Sequence, residues 1–399
     1  MPSPLLTEHH IKVLLIDDQR IVGETIRRML VANPDLPNLE YRFCSDPATA
    51  LAEAATFRPT VILQDLIMPG VDGIDMVRAF RANAATVATP LIVLSSKEEP
   101  TTKAEAFAAG ANDYLVKLPD KLELVARIRY HSAAYISRLE RDEAFTALEA
   151  QQHVMASELA EAAAFVRSLL PAPMPAGSPI PADWRFVTSS SLGGDSFGFH
   201  WLPAPDGPSH HLAIYLLDVC GHGVGSALLS VSALNNVRNR TLPNTDFLVP
   251  SQVLAALNRA FPMEDQGGKY FTMFYGVFDT HTRTIVHASG GHPPAIAIAP
   301  DGTATHLAST GMMIGAFAFA SFTDVTTPIA AGSRLFVFSD GCYEISNPAD
   351  EMLTVADFSN MLAEAVTHPD ALARILETTQ IYQQSAAFED DFSIVEFHV

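Results

Sequence analysis

A chain of 399 residues is two to three times the usual domain length, so two domains and a connector are the expected organisation. Its 25 Lys and Arg face 45 Asp and Glu, a formal charge of −20, which argues against a nucleic-acid partner because counterion release from a phosphate backbone requires a basic face. With 48% hydrophobic and 18% charged residues, the chain reads as core-forming rather than disordered.

The three cysteines, Cys44, Cys220 and Cys342, are far apart and show no CxxC or Cys/His spacing, so neither a disulfide framework nor a zinc knot is expected. Apolar runs at 212–219 and 335–339 are less than half of the roughly 20 residues that cross a bilayer, and the start MPSPLLTEHH lacks a signal-peptide pattern. The expectation is a cytoplasmic protein that needs no membrane.

From 11 to 130, short apolar runs alternate with amphipathic stretches. VLLI (13–16), RFC (42–44), VIL (61–63), LIVLS (91–95) and YLV (114–116) read as five buried parallel strands of a doubly wound α/β unit. Ligands of such sheets gather at the carboxyl ends of the strands, where this sequence places Asp17, Asp18 and Asp65. Three converging carboxylates repel one another, and a hard divalent cation such as Mg²⁺ resolves the repulsion. The same edge receives Ser95 and Lys117, a hydroxyl and an ammonium suited to the oxygens of a phosphoryl group carried by Asp65.

Taken together, LLIDDQ, QDLIMPGVDG, VLSS and NDYLVK resemble a response-regulator receiver domain, whose fold is flavodoxin-like. The resemblance implies that Asp65 accepts a phosphoryl group from a sensor histidine kinase or phosphotransfer protein. It also implies Mg²⁺ held by Asp17, Asp18 and Asp65 with the Ile67 carbonyl, and a switch formed by Ser95, Tyr114 and Lys117. The family usually has Pro directly after the Lys; here Leu118 precedes Pro119, which puts the local loop conformation in question.

Residues 131–170 continue an Ala-, Glu- and Arg-rich stretch without Gly or Pro. Phe145, Leu148, Met155, Leu159, Ala162, Val166 and Leu169 follow three- and four-residue steps with Gln152 in the seam. The pattern suits a helical coiled-coil linker and a homodimer; a single helix packed on a domain is the alternative. The proline-rich stretch 171–181 reads as the boundary of a second domain.

In that second domain, 183–399, strands HLAIYLLDV, KYFTMFYGVFD, TIVHASG, SRLFVFSD and DFSIVEFHV are clearest, with helical patterns at 225–239, 250–261, 355–366 and 370–384. Strands and helices without βα alternation suggest an α+β sandwich. Aspartates close apolar strands, most of them beside glycine: Asp195 after Gly193-Gly194, Asp218 in LLDVCGHGVG, Asp340 in FVFSDG, and Asp390-Asp391. Carboxylates so placed can approach a pair of hard cations that activate water for attack on a phosphate ester, and no Cys-x₅-Arg loop or GxSxG elbow offers a rival nucleophile.

These motifs, with KYFTMFYGVFD, ASGGHPPA and STGMMIG, look like the SpoIIE/RsbU branch of PPM serine/threonine phosphatases, an α/β/β/α sandwich. By that resemblance Asp218 bridges two Mn²⁺ or Mg²⁺ ions with the Val219 carbonyl as a further ligand. Asp340 and Asp390 complete one ion, Asp195 serves the other directly or through water, and Asp391 supports Asp390. Its implied substrate is a phosphorylated STAS-type anti-sigma-factor antagonist. The branch usually has a second acid where this chain has Gly198, which keeps open a phosphatase-like adaptor that binds a partner and catalyses nothing. His222 reads as a general acid or a solvent-facing loop residue, and His292 as a structural hydrogen-bonding group. His9-His10 and His210-His211 form no ligand pattern in the sequence.

Overall fold

The computed structural model describes residues 9–31, 33–96, 99–204 and 209–399. The chain divides into two compact units, Met1–Val154 and Met155–Val399.

In the first unit, strands β1 (Lys12–Ile16), β2 (Glu40–Cys44), β3 (Val61–Asp65), β4 (Leu91–Ser95) and β5 (Asp113–Val116) form a parallel sheet in the order β2-β1-β3-β4-β5. That is the flavodoxin-like order. Helices α1 (Arg20–Leu30), α2 (Ala50–Phe57), α3 (Gly73–Ala82) and α4 (Pro100–Ala108) alternate with the strands, and α5 (Lys121–Ser168) follows β5. Leu14, Ile16, Ile62 and Val93 pack with Phe57 and Phe80, while Val13, Leu15, Leu63 and Ile92 pack with Ile26, Leu124 and Ile128. Both faces are covered, which is why β3 and β4 read as unbroken apolar runs. Helix α5 is 48 residues long and buries only Leu124, Val125, Ile128 and Ser132.

The second unit is a sandwich of two five-stranded sheets. Its strands are β6 (Ala182–Val187), β7 (Ser196–Trp201), β8 (His211–Val219), β9 (Phe271–Asp279), β10 (Thr284–Gly290), β11 (Ala295–Ile298), β12 (Ala304–Leu307), β13 (Val325–Pro328), β14 (Arg334–Phe338) and β15 (Phe392–His398). One sheet runs β13-β10-β9-β8-β7 and the other β12-β11-β14-β15-β6. Helices α6 (Val224–Arg238) and α7 (Pro250–Ala260) cover the first sheet, and α8 (Val355–Ala365) and α9 (Ala371–Gln383) the second.

Side-chain alternation along β8 builds the layers. Tyr215 and Leu217 face α6 and α7, packing with Leu229, Leu257 and Met273. Ile214 and Leu216 face the second sheet, packing with Val337, Val395 and Phe397. Phe336, Phe338 and Ile394 turn outward onto Phe358, Leu362 and Ile375. The layers are helix, sheet, sheet and helix, each fully buried large side chain contributing roughly 1.5–3 kcal/mol. This is the α/β/β/α arrangement that the motifs imply.

Candidate functional site

In the first unit β1 and β3 are parallel neighbours, so the residues that end them meet at one edge. Carboxylate oxygens of Asp17, Asp18 and Asp65 lie within 4.8 Å of one another. Asp17 and Asp65 are buried and Asp18 half-buried. Lys117, just past β5, places Nζ 2.7 Å from Asp65 Oδ2 and 3.0 Å from Asp17 Oδ2. Burial lifts the Asp17 pKa above the usual carboxylate value, although the Gln19 amide and the Lys117 ammonium pull against it. For Lys117, desolvation disfavours the charge, but hydrogen bonds to the two carboxylates outweigh it and raise the pKa.

One ammonium among three carboxylates leaves negative charge uncompensated. The buried Asp18 Oδ1 has no hydrogen-bond partner among the described residues. Such an oxygen suits a hard cation. Ser95 is fully buried at the end of β4, and its carbonyl accepts the Lys117 amide at 2.8 Å. Tyr114 is half-buried on β5, with Lys103 Nζ 5.4 Å from its ring centroid. Leu118, where the sequence departs from the family pattern, is exposed and takes a left-handed φ of 58°.

In the second unit β7 pairs antiparallel with β8, and β14 with β15. The start of β7 and the end of β8 therefore lie together, as do the end of β14 and the start of β15. Glycines permit the close approaches between these four segments. A Cβ on Gly194 would stand 2.7 Å from the Val219 carbonyl oxygen, and one on Gly341 would stand 2.2 Å from the Asp391 carbonyl oxygen. Gly221 and Gly223, at φ 76° and 90°, supply the turn from Asp218 into α6.

The five acids are electrostatically one group. Asp218 is pushed up to about 7 by burial and by the charges of Asp340, Asp390 and Asp391, with a hydrogen bond to Asp195 acting in the opposite sense. Asp340 is pushed up to about 6 by burial and by Asp390 and Glu344. The wholly buried Asp195 is raised well above the ordinary carboxylate value by desolvation and by Asp218 and Asp391. Among the described residues none of the five pairs with a Lys, Arg or His, so the cluster fits divalent cations, the usual resolution of buried like charges. They are more widely spread than Asp17, Asp18 and Asp65: among the described residues no three bring ligand oxygens within 4.8 Å of one another.

The structure gives Asp391 a set of contacts that the sequence did not disclose. Its Oδ1 accepts the Ser189 amide at 2.8 Å and the Ser189 hydroxyl at 3.1 Å, and its Oδ2 accepts the Gly194 amide at 2.6 Å and the Asp195 amide at 3.3 Å. Asp391 thereby fixes the loop that carries Asp195. Asp391 also receives no bond from Asp390; its own amide donates to Asp390 Oδ1 at 2.7 Å. Ser393 Oγ donates to Asp195 Oδ2, and Ser339 Oγ donates to the Asp391 carbonyl at 2.9 Å. The signal for Ser393 was in the strand period, since it lies two residues beyond Asp391 on the same side.

Gly198 has a structural explanation. It pairs with Tyr215 across β7 and β8, and a Cβ there would lie 2.5 Å from the Tyr215 ring. The aromatic ring fills the place where an acid was expected. His222 is exposed, whereas His292 is buried and exchanges a 2.8 Å hydrogen bond with Thr272, the residue opposite Asp218. Among the described residues no helix is long and apolar enough to cross a membrane.

Comparison with known proteins agrees with both halves. The model of the response regulator receiver domain matches residues 13–129, and that of stage II sporulation protein E (SpoIIE) matches residues 208–399. The phosphoserine phosphatase RsbP of Bacillus subtilis is 31% identical over 163 residues, 40% of this chain and 38% of RsbP. The response regulator MprA of Mycobacterium ulcerans is 33% identical over 134 residues, 34% of this chain and 54% of MprA. The chain thus spans about half, or less, of these relatives. Among solved structures, the SiaA-PP2C domain of Pseudomonas aeruginosa superposes with a TM-score of 0.52 at 17% identity, covering 63% of this chain and 99% of that domain, a likeness of fold. Residues 13–129 thus carry the pattern of the response-regulator receiver family, and residues 208–399 that of the SpoIIE family.

Proposed function

We propose that this protein is a response regulator whose output is metal-dependent removal of phosphate from phosphoserine or phosphothreonine on a protein, under the control of Asp65 phosphorylation. The observation that carries the proposal is the meeting of Asp195, Asp218, Asp340, Asp390 and Asp391 from four chain segments without a compensating cation among the described residues. Asp218, Asp340 and Asp390 with the Val219 carbonyl would hold two Mn²⁺ or Mg²⁺ ions, and Asp195 would serve one of them. Bound there, the ions supply an activated water and neutralise the phosphate oxygens. The chain's own residues prepare that site: Asp391 clamps the loop at Ser189 and Gly194, Ser393 orients Asp195, and the glycine turn presents α6 beside Asp218.

At the receiver, Asp17, Asp18 and Asp65 with the Ile67 carbonyl would hold Mg²⁺, and Asp65 would accept a phosphoryl group from a histidine kinase or phosphotransfer protein. The added charge would draw on Lys117, whose backbone is tied to Ser95, and so bias the surface around Ser95 and Tyr114. Along α5, Phe145, Leu148 and Met155 are 60%, 52% and 62% exposed, which supports a homodimer joined through this helix. The relation to a phosphoserine phosphatase supports a phosphoprotein substrate, and a STAS-type antagonist of an anti-sigma factor is the substrate class proposed.

The test is phosphate release from a phosphoserine protein with and without Mn²⁺, in the parent and in Asp218→Asn, before and after treatment with acetyl phosphate. Metal-dependent release that Asp218→Asn abolishes, and that acetyl phosphate alters only while Asp65 is present, is the expected result. A second reading, an adaptor without turnover, draws on Gly198, where the Tyr215 ring occupies the place of an acid. Absence of metal-dependent release from the intact chain would favour that reading.

A further inference from the structure

The first strand pair of the second unit carries a chemistry-bearing cluster far from the acids. His211 opens β8 and faces Asp279, which ends β9, whereas Asp218 faces Thr272 at the other end of the same pair. Seven residues of strand separate them, about 23 Å at ~3.3 Å per residue. At this distal end, ligand atoms of His210, Asp279 and His281 lie within 4.8 Å of one another. The His210 and His281 rings stack with centroids 4.5 Å apart, and His210 and His211 stand 4.2 Å apart. His211 Nε2 lies 3.9 Å from Asp279 Oδ2.

The scaffold around these side chains is ordered by hydrogen bonds. The Thr280 amide donates to the His210 carbonyl at 2.9 Å, joining the two chain segments. Asp279 Oδ1 accepts the His281 amide at 2.8 Å, and Oδ2 accepts the Thr282 hydroxyl at 2.9 Å, so the carboxylate is aimed and still has lone pairs to offer. The ring nitrogens of His210 and His281 bond to no other group among the described residues.

We infer that His210, His281 and Asp279, with His211 beside them, form a binding site for a borderline divalent transition metal of the Zn²⁺ class, separate from the acidic cluster. Imidazole with one carboxylate suits Zn²⁺, and not the all-oxygen preference of Mg²⁺. Three ligands on two segments leave a position for water, and the Thr282 hydroxyl orients the carboxylate from behind. The ion would staple the start of β8 to the β9–β10 turn.

The test uses the full chain carrying Asp218→Asn, which weakens the competing acidic site, after chelation and dialysis. Zn²⁺ is titrated by calorimetry into this protein and into the same protein with His210→Ala and His281→Ala. The expected result is one Zn²⁺ fewer in the histidine variant, or affinity at that step weaker by more than about 100-fold, since even an outer-shell loss costs about 10–100-fold. The thermal midpoint reported by tryptophan fluorescence rises with Zn²⁺ only when the histidines are present. Equal stoichiometry and affinity in the two proteins would overturn the site. Should the double change impair folding in chelator, His281→Ala alone, at an exposed position, carries the same comparison.

Discussion

Asp218 carries an electrostatic strain that its replacement should release. Its pKa in the folded, metal-free protein is pushed up to about 7 by burial and by Asp340, Asp390 and Asp391, from an ordinary value of 3.8. The folded state therefore binds more protons than the unfolded state between about pH 4 and 7. Stability from this group is greatest below that window and is lost as pH rises through it. At ~1.4 kcal/mol per unit, the loss at pH 8 is about 4 kcal/mol, an upper figure because the acids titrate together. Asp218→Asn removes the charge and, by relieving Asp195 and Asp340, lowers their cost as well.

The assay can isolate the relevant half of the chain. Both tryptophans, Trp184 and Trp201, lie in the second unit, so their fluorescence reports its unfolding alone. With chelator at pH 8, Asp218→Asn should raise the urea midpoint by about 1–2 M, taking a slope of roughly 2–3 kcal/mol per M. At pH 5, ~1.2 units above the ordinary value, the gap should shrink to roughly 0.5–1 M, and below about pH 4 the two proteins should nearly coincide. The half-buried His200 and the buried His287 and His292 lie at about 4, 4 and 3 through desolvation and act in the opposite sense, gaining stability as pH rises. They are common to both proteins and cancel in the difference. Mn²⁺ should raise the midpoint of the parent and leave Asp218→Asn nearly unmoved. A variant less stable than the parent at pH 8 in chelator, or a difference independent of pH, would refute the reasoning.

Gly198→Asp should not restore a missing ligand. Its Cβ would meet the Tyr215 ring at 2.5 Å, so a loss of about 1–3 kcal/mol or more in the fluorescence melt, without faster phosphate release, is expected. Asp391→Ala strands the amides of Ser189, Gly194 and Asp195 and should cost about 3 kcal/mol in the same melt while abolishing phosphate release even in excess Mn²⁺. Phe145→Glu with Met155→Glu, at exposed positions of α5, should shift the full chain from dimer to monomer in sedimentation equilibrium and leave the fluorescence melt unchanged.

The receiver sheet was legible because a strand buried on both faces writes a continuous apolar run. VIL and LIVLS stand within β3 and β4, every residue of which is buried. The second unit was legible where strands are long, as in β8, matched residue for residue at 211–219. None of its five edge or short strands, β6, β7, β11, β12 and β13, gave such a signal. β12 exposes three of its four residues and β13 alternates exposed Thr and Pro, so only their partners identify them as strands. The acids announced themselves because each closes an apolar run beside glycine, and the glycines proved to be where backbone segments touch.

What stayed hidden depends on strand register, which composition does not carry. His210 and His281 are remote in sequence and meet because nine residue pairs of β8 and β9 align His211 with Asp279. A one-residue slip would send these side chains to opposite faces and dissolve the cluster, so the metal site and the acidic site test the same register at its two ends. The exchange of an acid for Gly198 obeys the same logic. Tyr215 faces Gly198 in the β7–β8 pairing, and a bulky ring on one strand is accommodated by an absent side chain on the other. The departure from the family pattern is therefore a paired feature of two strands, and replacing Tyr215 by a smaller residue is the change that would make room for a carboxylate at position 198.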